Sequence, residues 1–328
     1  MGLEHRTLCR LGEYFYVSAV ACPDDLGVVL AGSGATGNND LGQVLLLRPG
    51  PDAPDPESDL LIATLATDAT AVDAMFGPDG SQVAVGFADL GEGVGPVVYG
   101  ADGALRYALD LDAAGEVADD IGFGRVGHSA DGRLLACGNT ETGSVLVAEA
   151  STGDAVLRAE GAAGAVALDD AGELLAHACP EGRVALRDVG SGALLSTWET
   201  GLTSVNTLAF APGASGLVAA GDDRPTACVM TVRAGKVTGA SLVPVADSAL
   251  TMDATAPVAT YSAKASWTER GPLVFVADDE LAVLFDASDG RIRWTSTAGP
   301  VAASFTPDGR TLVTSGMSDG VVEAWFLG

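Results

Sequence analysis

Three histidines (His5, His128, His177) and five cysteines (Cys9, Cys22, Cys137, Cys179, Cys228) are the side chains of this sequence best suited to hold a metal or attack a substrate. The histidines are far apart and show no ligand spacing, so a zinc site is not expected. No Gly-x-Ser-x-Gly elbow and no phosphate-cradling loop is present. The cysteines are odd in number and form no Cys-x-x-Cys pair. That pattern fits reduced thiols in a cytosol better than a disulfide framework. Cys137 and Cys179 sit in the apolar runs LLACG and LAHAC and read as small core residues. The expectation is therefore no catalytic residue, no metal and no cofactor.

Charge is the stronger chemical signal. Forty-four acidic residues face 17 basic ones, for a formal charge of −27. Binding to nucleic acid or to an anionic membrane needs Lys and Arg, so both are excluded as expected partners. Only Lys236 and Lys264 are lysines, and Asp outnumbers Glu by 30 to 14. Such a chain repels itself in low salt, and screening relieves the repulsion. Adaptation to a salt-rich cytosol is one reading of this halophilic-type composition. A GC-rich genome, with Arg in place of Lys and Asp filling turns, is the other. The densest acidic segments are Asp119-Asp120, Asp222-Asp223-Arg224 and Asp278-Asp279-Glu280, with Glu141 and Glu181 as single residues. A second acidic stretch, Arg48–Asp59 (RPGPDAPDPESD), is rich in proline and suits an exposed loop.

The elements that must carry these residues come from an internal repeat. The chain has 328 residues, 48% of them apolar and 19% charged, which is the composition of a folded core. Forty-three glycines demand many turns. The first ten residues, MGLEHRTLCR, lack the apolar stretch of a signal peptide and fail the myristoylation pattern at position 6. No run approaches 18 apolar residues, so no membrane span is expected and the expected location is cytoplasmic. One pattern recurs: apolar run, Gly-bearing turn, apolar run, turn, apolar run. Its first-turn residue falls at Gly27, Gly80, Gly132, Gly172, Gly216, Gly271 and Gly309. The mean spacing of about 47 residues is that of a propeller blade. Residues 132–161 and 172–201 align through their whole length and end in a fourth run. Val145/Val147 and Val184/Leu186 alternate with period two, as strands do. No segment shows a sustained helical period.

The segments VALRDVGSG (Val184–Gly192) and SDGVVEAWFLG (Ser318–Gly328), with the turns GPDG (Gly77–Gly80), SADG (Ser129–Gly132) and TPDG (Thr306–Gly309), resemble WD40 repeats. Arg187-Asp188 stands where that family has Trp-Asp. LFDASDGRIRW (Leu284–Trp294) is closer to a quinoprotein-type repeat, and Trp294 is expected to pack between blades. No Gly-His dipeptide precedes the repeats, a departure from the family; Gly127-His128 falls on an inner strand instead. The resemblance implies an all-β seven-bladed β-propeller of four-stranded antiparallel blades. It would be a single domain over residues 1–328, with less than about 5% helix. It also implies closure of the ring by the N-terminal strand, roughly His5–Leu11, joining the last blade. The inner strand of the sixth blade is expected at Pro257–Ala263.

Counting back three residues from the inner-strand anchors Phe76, His128, Phe210 and Phe305 reaches Asp73, Arg125, Thr207 and Ala302. The same count puts Ser18 in the first copy, and Asn206 is a further polar candidate. Asp73 and Arg125 then face the central funnel from adjacent blades, either as a small polar or metal site or as a structural ion pair. The family's topology would also gather Asp119, Asp120, Asp222, Asp223, Arg224, Asp278, Asp279 and Glu280 on one face. That face is either a docking surface for a basic segment of another protein or a solvated surface. The leading expectation is a non-catalytic protein-interaction scaffold in a salt-rich cytosol. The alternatives are a propeller hydrolase and a ligand sensor with its site in the funnel. The sequence carries no signal for oligomeric state.

Overall fold

The computed structural model describes residues 3–11, 17–33, 42–49, 61–67, 70–88, 96–109, 123–139, 143–161, 164–221, 225–246, 262–277, 281–297, 300–316 and 320–327. The strands form seven four-stranded antiparallel sheets. Blade one runs Val17–Ala21, Val29–Ser33, Gln43–Leu47 and Leu61–Thr67, from the channel outward; blade two starts with Thr70–Phe76, blade three with Phe123–His128, blade four with Val166–Leu168 and blade five with Thr207–Phe210. Blade six starts with Ser262–Thr268. Blade seven holds Pro300–Phe305, Thr311–Gly316 and Val321–Phe326, and its fourth strand is Glu4–Arg10 from the start of the chain. The N-terminal strand therefore closes the ring, with Glu4 opposite Phe326 and Arg10 opposite Val321. The only helical turn among the described residues is Pro212–Ala214.

A blade is covered on both faces by its neighbours, so its inner strands are apolar on both faces rather than on one, while outermost strands such as Leu105–Ala108 stay largely exposed. In blade one, Ala31, Leu45 and Leu47 pack toward blade seven. The alternate residues Leu30, Val44 and Leu46 pack toward blade two. Period-two geometry turns one continuous run, VLLL, into two half-cores. Seven apolar clusters result, one at each interface between adjacent blades. The core is thus a ring around the channel. Trp294 of blade six and Trp325 of blade seven meet across one such interface, with ring centroids 4.8 Å apart.

The first turn of each blade is set by local chemistry. In Thr306–Gly309 the Gly309 N–H donates to the Thr306 carbonyl at 2.8 Å, and Gly309 sits at φ 69, where a side chain would be strained. The Asp308 carboxylate accepts from the Thr306 hydroxyl and the Arg310 N–H. These turns also strap blade to blade. Asp308 N–H donates to Asp24 of blade one, Gly213 N–H of blade five donates to Asp170 of blade four, and Arg310 pairs with Glu269 of blade six at 2.9 Å.

Blade six differs from the sequence expectation. Its inner strand is Ser262–Thr268, not Pro257–Ala263, and residues 257–261 lie outside the described residues. The aromatic anchor explains the offset. Trp267 donates its indole N–H to the Ala209 carbonyl of blade five at 2.9 Å, which fixes the strand against that blade.

Candidate functional site: the central channel

Inner strands of blades one, two, three and seven each carry a bulge at the same level. The register skips one residue between Val17 and Ala19, Ala71 and Asp73, Phe123 and Val126, and Pro300 and Ala302. A bulge re-aims the side chains beside it. Here the bulges lie beside Asp73 and Arg125, which line a cavity of about 320 Å³ in the channel. The cavity runs from mid-strand to the face that carries the first turns, with Pro78, Pro212 and Pro307 near its mouth.

The floor of the cavity is an ion pair. Lys264 of blade six donates to Asp73 Oδ1 of blade two, so the pair crosses the channel between blades that are not neighbours. Asp73 is only 4% exposed and Lys264 17%. Asp73 also accepts from its neighbour Ala74 N–H and, across the interface, from Val126 N–H of blade three, both at 3.0 Å. Burial holds the Lys264 ammonium below the usual lysine value; the Asp73 carboxylate opposes that, and nearby Arg125 adds to it.

The pairing differs from the Asp73–Arg125 ion pair that the sequence allowed. Arg125 makes only a 3.5 Å contact to the Val72 carbonyl and no ion pair among the described residues. Lys264 takes Asp73 from across the channel, while the Arg125 guanidinium turns to the Val72 carbonyl of blade two. Sequence reasoning missed Lys264 because it set the blade-six strand too early. The signal was present: Lys264 lies three residues before Trp267, the same offset that separates Asp73 from Phe76.

Ser18 is the bulge residue of blade one. Its hydroxyl donates to the Ala71 carbonyl at 2.6 Å and links blades one and two. Register places its neighbour Ala19, opposite Gly32, where blade two has Asp73 opposite Gly86. Neither Ser18 nor Asn206 lines the cavity. The Asn206 N–H pairs with the Ala220 carbonyl at the start of blade five.

His128 occupies the anchor position that Phe76, Phe210 and Phe305 fill in other blades. Both its ring nitrogens are buried without a hydrogen-bond partner in the described structure. Burial pushes its pKa down to about 4, against a smaller opposite effect from Asp79. His177 is different: Arg187 donates to its Nε2 at 3.1 Å, which leaves Nδ1–H to donate to the Ala178 carbonyl. Cys137 is buried and its thiol pushed up to about 12, as a core residue's should be, whereas Cys179 is half-buried. Among the described residues no group of three or more His, Cys, Asp or Glu stands close enough to hold a metal ion.

The acidic loops Asp119-Asp120, Asp222-Asp223-Arg224 and Asp278-Asp279-Glu280, Glu141, and most of the 48–59 loop lie outside the described residues. Glu181 is exposed in a turn at φ 63. The described structure adds another set of acids, in the first turns: Asp25, Asp79, Asp131, Asp170, Glu269 and Asp308. Several of these carboxylates are held by turn hydrogen bonds, as Asp79 is by Ser81.

The ring, its blade order and the strand that closes it define a seven-bladed β-propeller. No family model and no curated protein matches the chain. Solved structures do match, 1700 chains of them, which marks the architecture as widely shared. One is a chain in the crystal structure of the Mitotic Checkpoint Complex. It is 14% identical, with a TM-score of 0.66, and the match covers 100% of this chain and 96% of that one. At that identity the likeness establishes the fold alone. No helix among the described residues is long and apolar enough to cross a membrane.

Proposed function

We propose that this protein is a non-catalytic interaction scaffold that works in a salt-rich cytosol and docks a basic segment of another protein on an acidic face of the ring. The carrying observation is the rim of carboxylates on the first turns, each mounted on a blade and several of them strapped to the neighbouring one. Loops and turns on such a frame can present a surface without disturbing strand pairing. The structural neighbour from an assembly of proteins supports the same class of role. In molar salt long-range steering is screened, so direct Arg–carboxylate hydrogen bonds supply the affinity.

The experiment compares two sets of acids. One set of variants is Asp222→Asn with Asp223→Asn, and Asp278→Asn with Asp279→Asn. The other is Asp79→Asn with Asp131→Asn, in which the amide oxygen can still accept the turn hydrogen bonds. Each is used to capture the native partner at the ionic strength of the host. Loss of capture with one set identifies the docking face. Undiminished capture by every variant means that the acids serve solvation and the docking proposal fails.

A further inference from the structure

The channel floor brings two cations to one carboxylate. Lys264 and Asp73 compensate each other, and Arg125 stands beside Lys264 with no ion pair among the described residues. A guanidinium carries five N–H donors, and the single described bond here is the 3.5 Å contact to Val72. A cation with no ion pair among the described residues, at the centre of a chain of charge −27, is not explained by the acidity of the surface. Toward the mouth the cavity is lined by Asp170 and Asp308, whose carboxylates accept from Gly213 N–H, and from the Thr306 hydroxyl and Arg310 N–H. Between floor and mouth the wall includes Met75, Phe76, Phe210, Trp267 and Phe305.

We propose that the channel binds a small monocarboxylate with an apolar or aromatic body, its carboxylate between Arg125 and Lys264 and its body against the partly exposed Met75 and Trp267. The Arg125 guanidinium, with no ion pair among the described residues, matches a single negative charge. A doubly charged phosphate would bring a second charge with no partner, toward a mouth already lined by carboxylates. Phosphate would also leave the apolar side chains of Met75 and Trp267 unused. The volume of about 320 Å³ sits at the small end of ligand pockets. Charge-assisted hydrogen bonds from the guanidinium fix the carboxylate, and burial of the body supplies the remaining affinity. The site goes beyond the scaffold role and does not depend on it.

The test titrates phenylacetate and 4-methylpentanoate into the full chain at fixed KCl, each beside its neutral amide, by calorimetry. Both acids should bind saturably at one site, with the amides weaker by about tenfold or more. That comparison uses the unaltered protein and needs no variant to fold. Arg125→Met should then weaken the acids by a similar factor while leaving amide binding unchanged, and Arg125→Lys should restore part of the loss. Equal binding of acid and amide overturns the proposal. So does a folded Arg125→Met protein that binds the acids as the parent does, or the absence of saturable binding by either acid up to about 10 mM.

Discussion

Replacing His128 by phenylalanine should make the protein more resistant to acid. The imidazole ordinarily titrates at 6.5, and burial moves it to about 4. Between those values the unfolded chain binds a proton that the folded chain does not. Stability from this group is therefore complete above the unfolded value and falls as pH drops through the window. The whole shift corresponds to about 3 kcal/mol, of which about 2 kcal/mol is lost by pH 5. A phenyl ring in its place would carry no such slope. The change would also remove two buried ring nitrogens that lack partners, each a cost of about 1–3 kcal/mol, against an overpacking cost of similar size. The decisive quantity is therefore the change with pH, not the difference at one pH. Urea denaturation of both proteins at about pH 8 and about pH 5, in the same KCl concentration, measures it. His177 is also held below its usual value by burial and by Arg187; its slope appears in both proteins and cancels. The carboxylates that are held low, Asp79, Asp131, Asp188 and Asp286, lose their contribution only below the ordinary carboxylate range. If the stability gap between His128→Phe and parent is the same at both pH values, His128 does not titrate as the buried ring requires.

Two further outcomes are expected. Stability should rise as KCl goes from low to molar concentration, because the −27 charge repels itself most when the Debye length is about 10 Å and least when it is about 3 Å; a melting temperature that is flat or falls across that range contradicts the salt-adaptation reading. Asp73→Asn and Lys264→Met should each cost about 3–5 kcal/mol by leaving a buried charge without its partner, and the double variant should cost clearly less than the sum. Strictly additive losses in urea melts would mean that the two side chains are not coupled across the channel.

The architecture was legible because its period is written in turn residues. Every first-turn glycine lies between the first two strands of a blade or, as Gly216 and Gly271 do, opens the second. Period two within the strands was equally clear. The site was only half legible. Asp73 and Arg125 share a level on adjacent inner strands, as their offsets from Phe76 and His128 implied. Ser18 slipped by one residue because copy one has no aromatic anchor: Cys22, three residues after Ala19, stands where Phe76 stands in blade two, and the count started one residue too early. Lys264 was missed for a related reason. The blade-six strand was placed by mean spacing, and spacing carries no information about a segment of unusual length such as 237–261. An ion pair between blades two and six is a property of the closed ring, and no sequence distance reports it. His128 was legible as an intruder at an apolar anchor, but the absence of a partner for its ring nitrogens needed coordinates.

The strand Glu4–Arg10 has a consequence in time. It is synthesised before every other strand of the ring, and its partner Val321–Phe326 comes last. At about 5–20 residues per second, it waits about 15–60 s with no strand to pair with. An unpaired edge exposed that long is a hazard for association with other nascent chains. Its sequence, EHRTLCR, answers that hazard. Glu4, His5, Arg6 and Arg10 carry acidic or basic side chains, and all four remain on the outside even after closure. Only Leu8 and Cys9 are buried when the ring shuts. The segment that completes the molecule hides only those two side chains, so the last step of assembly can be late without being dangerous.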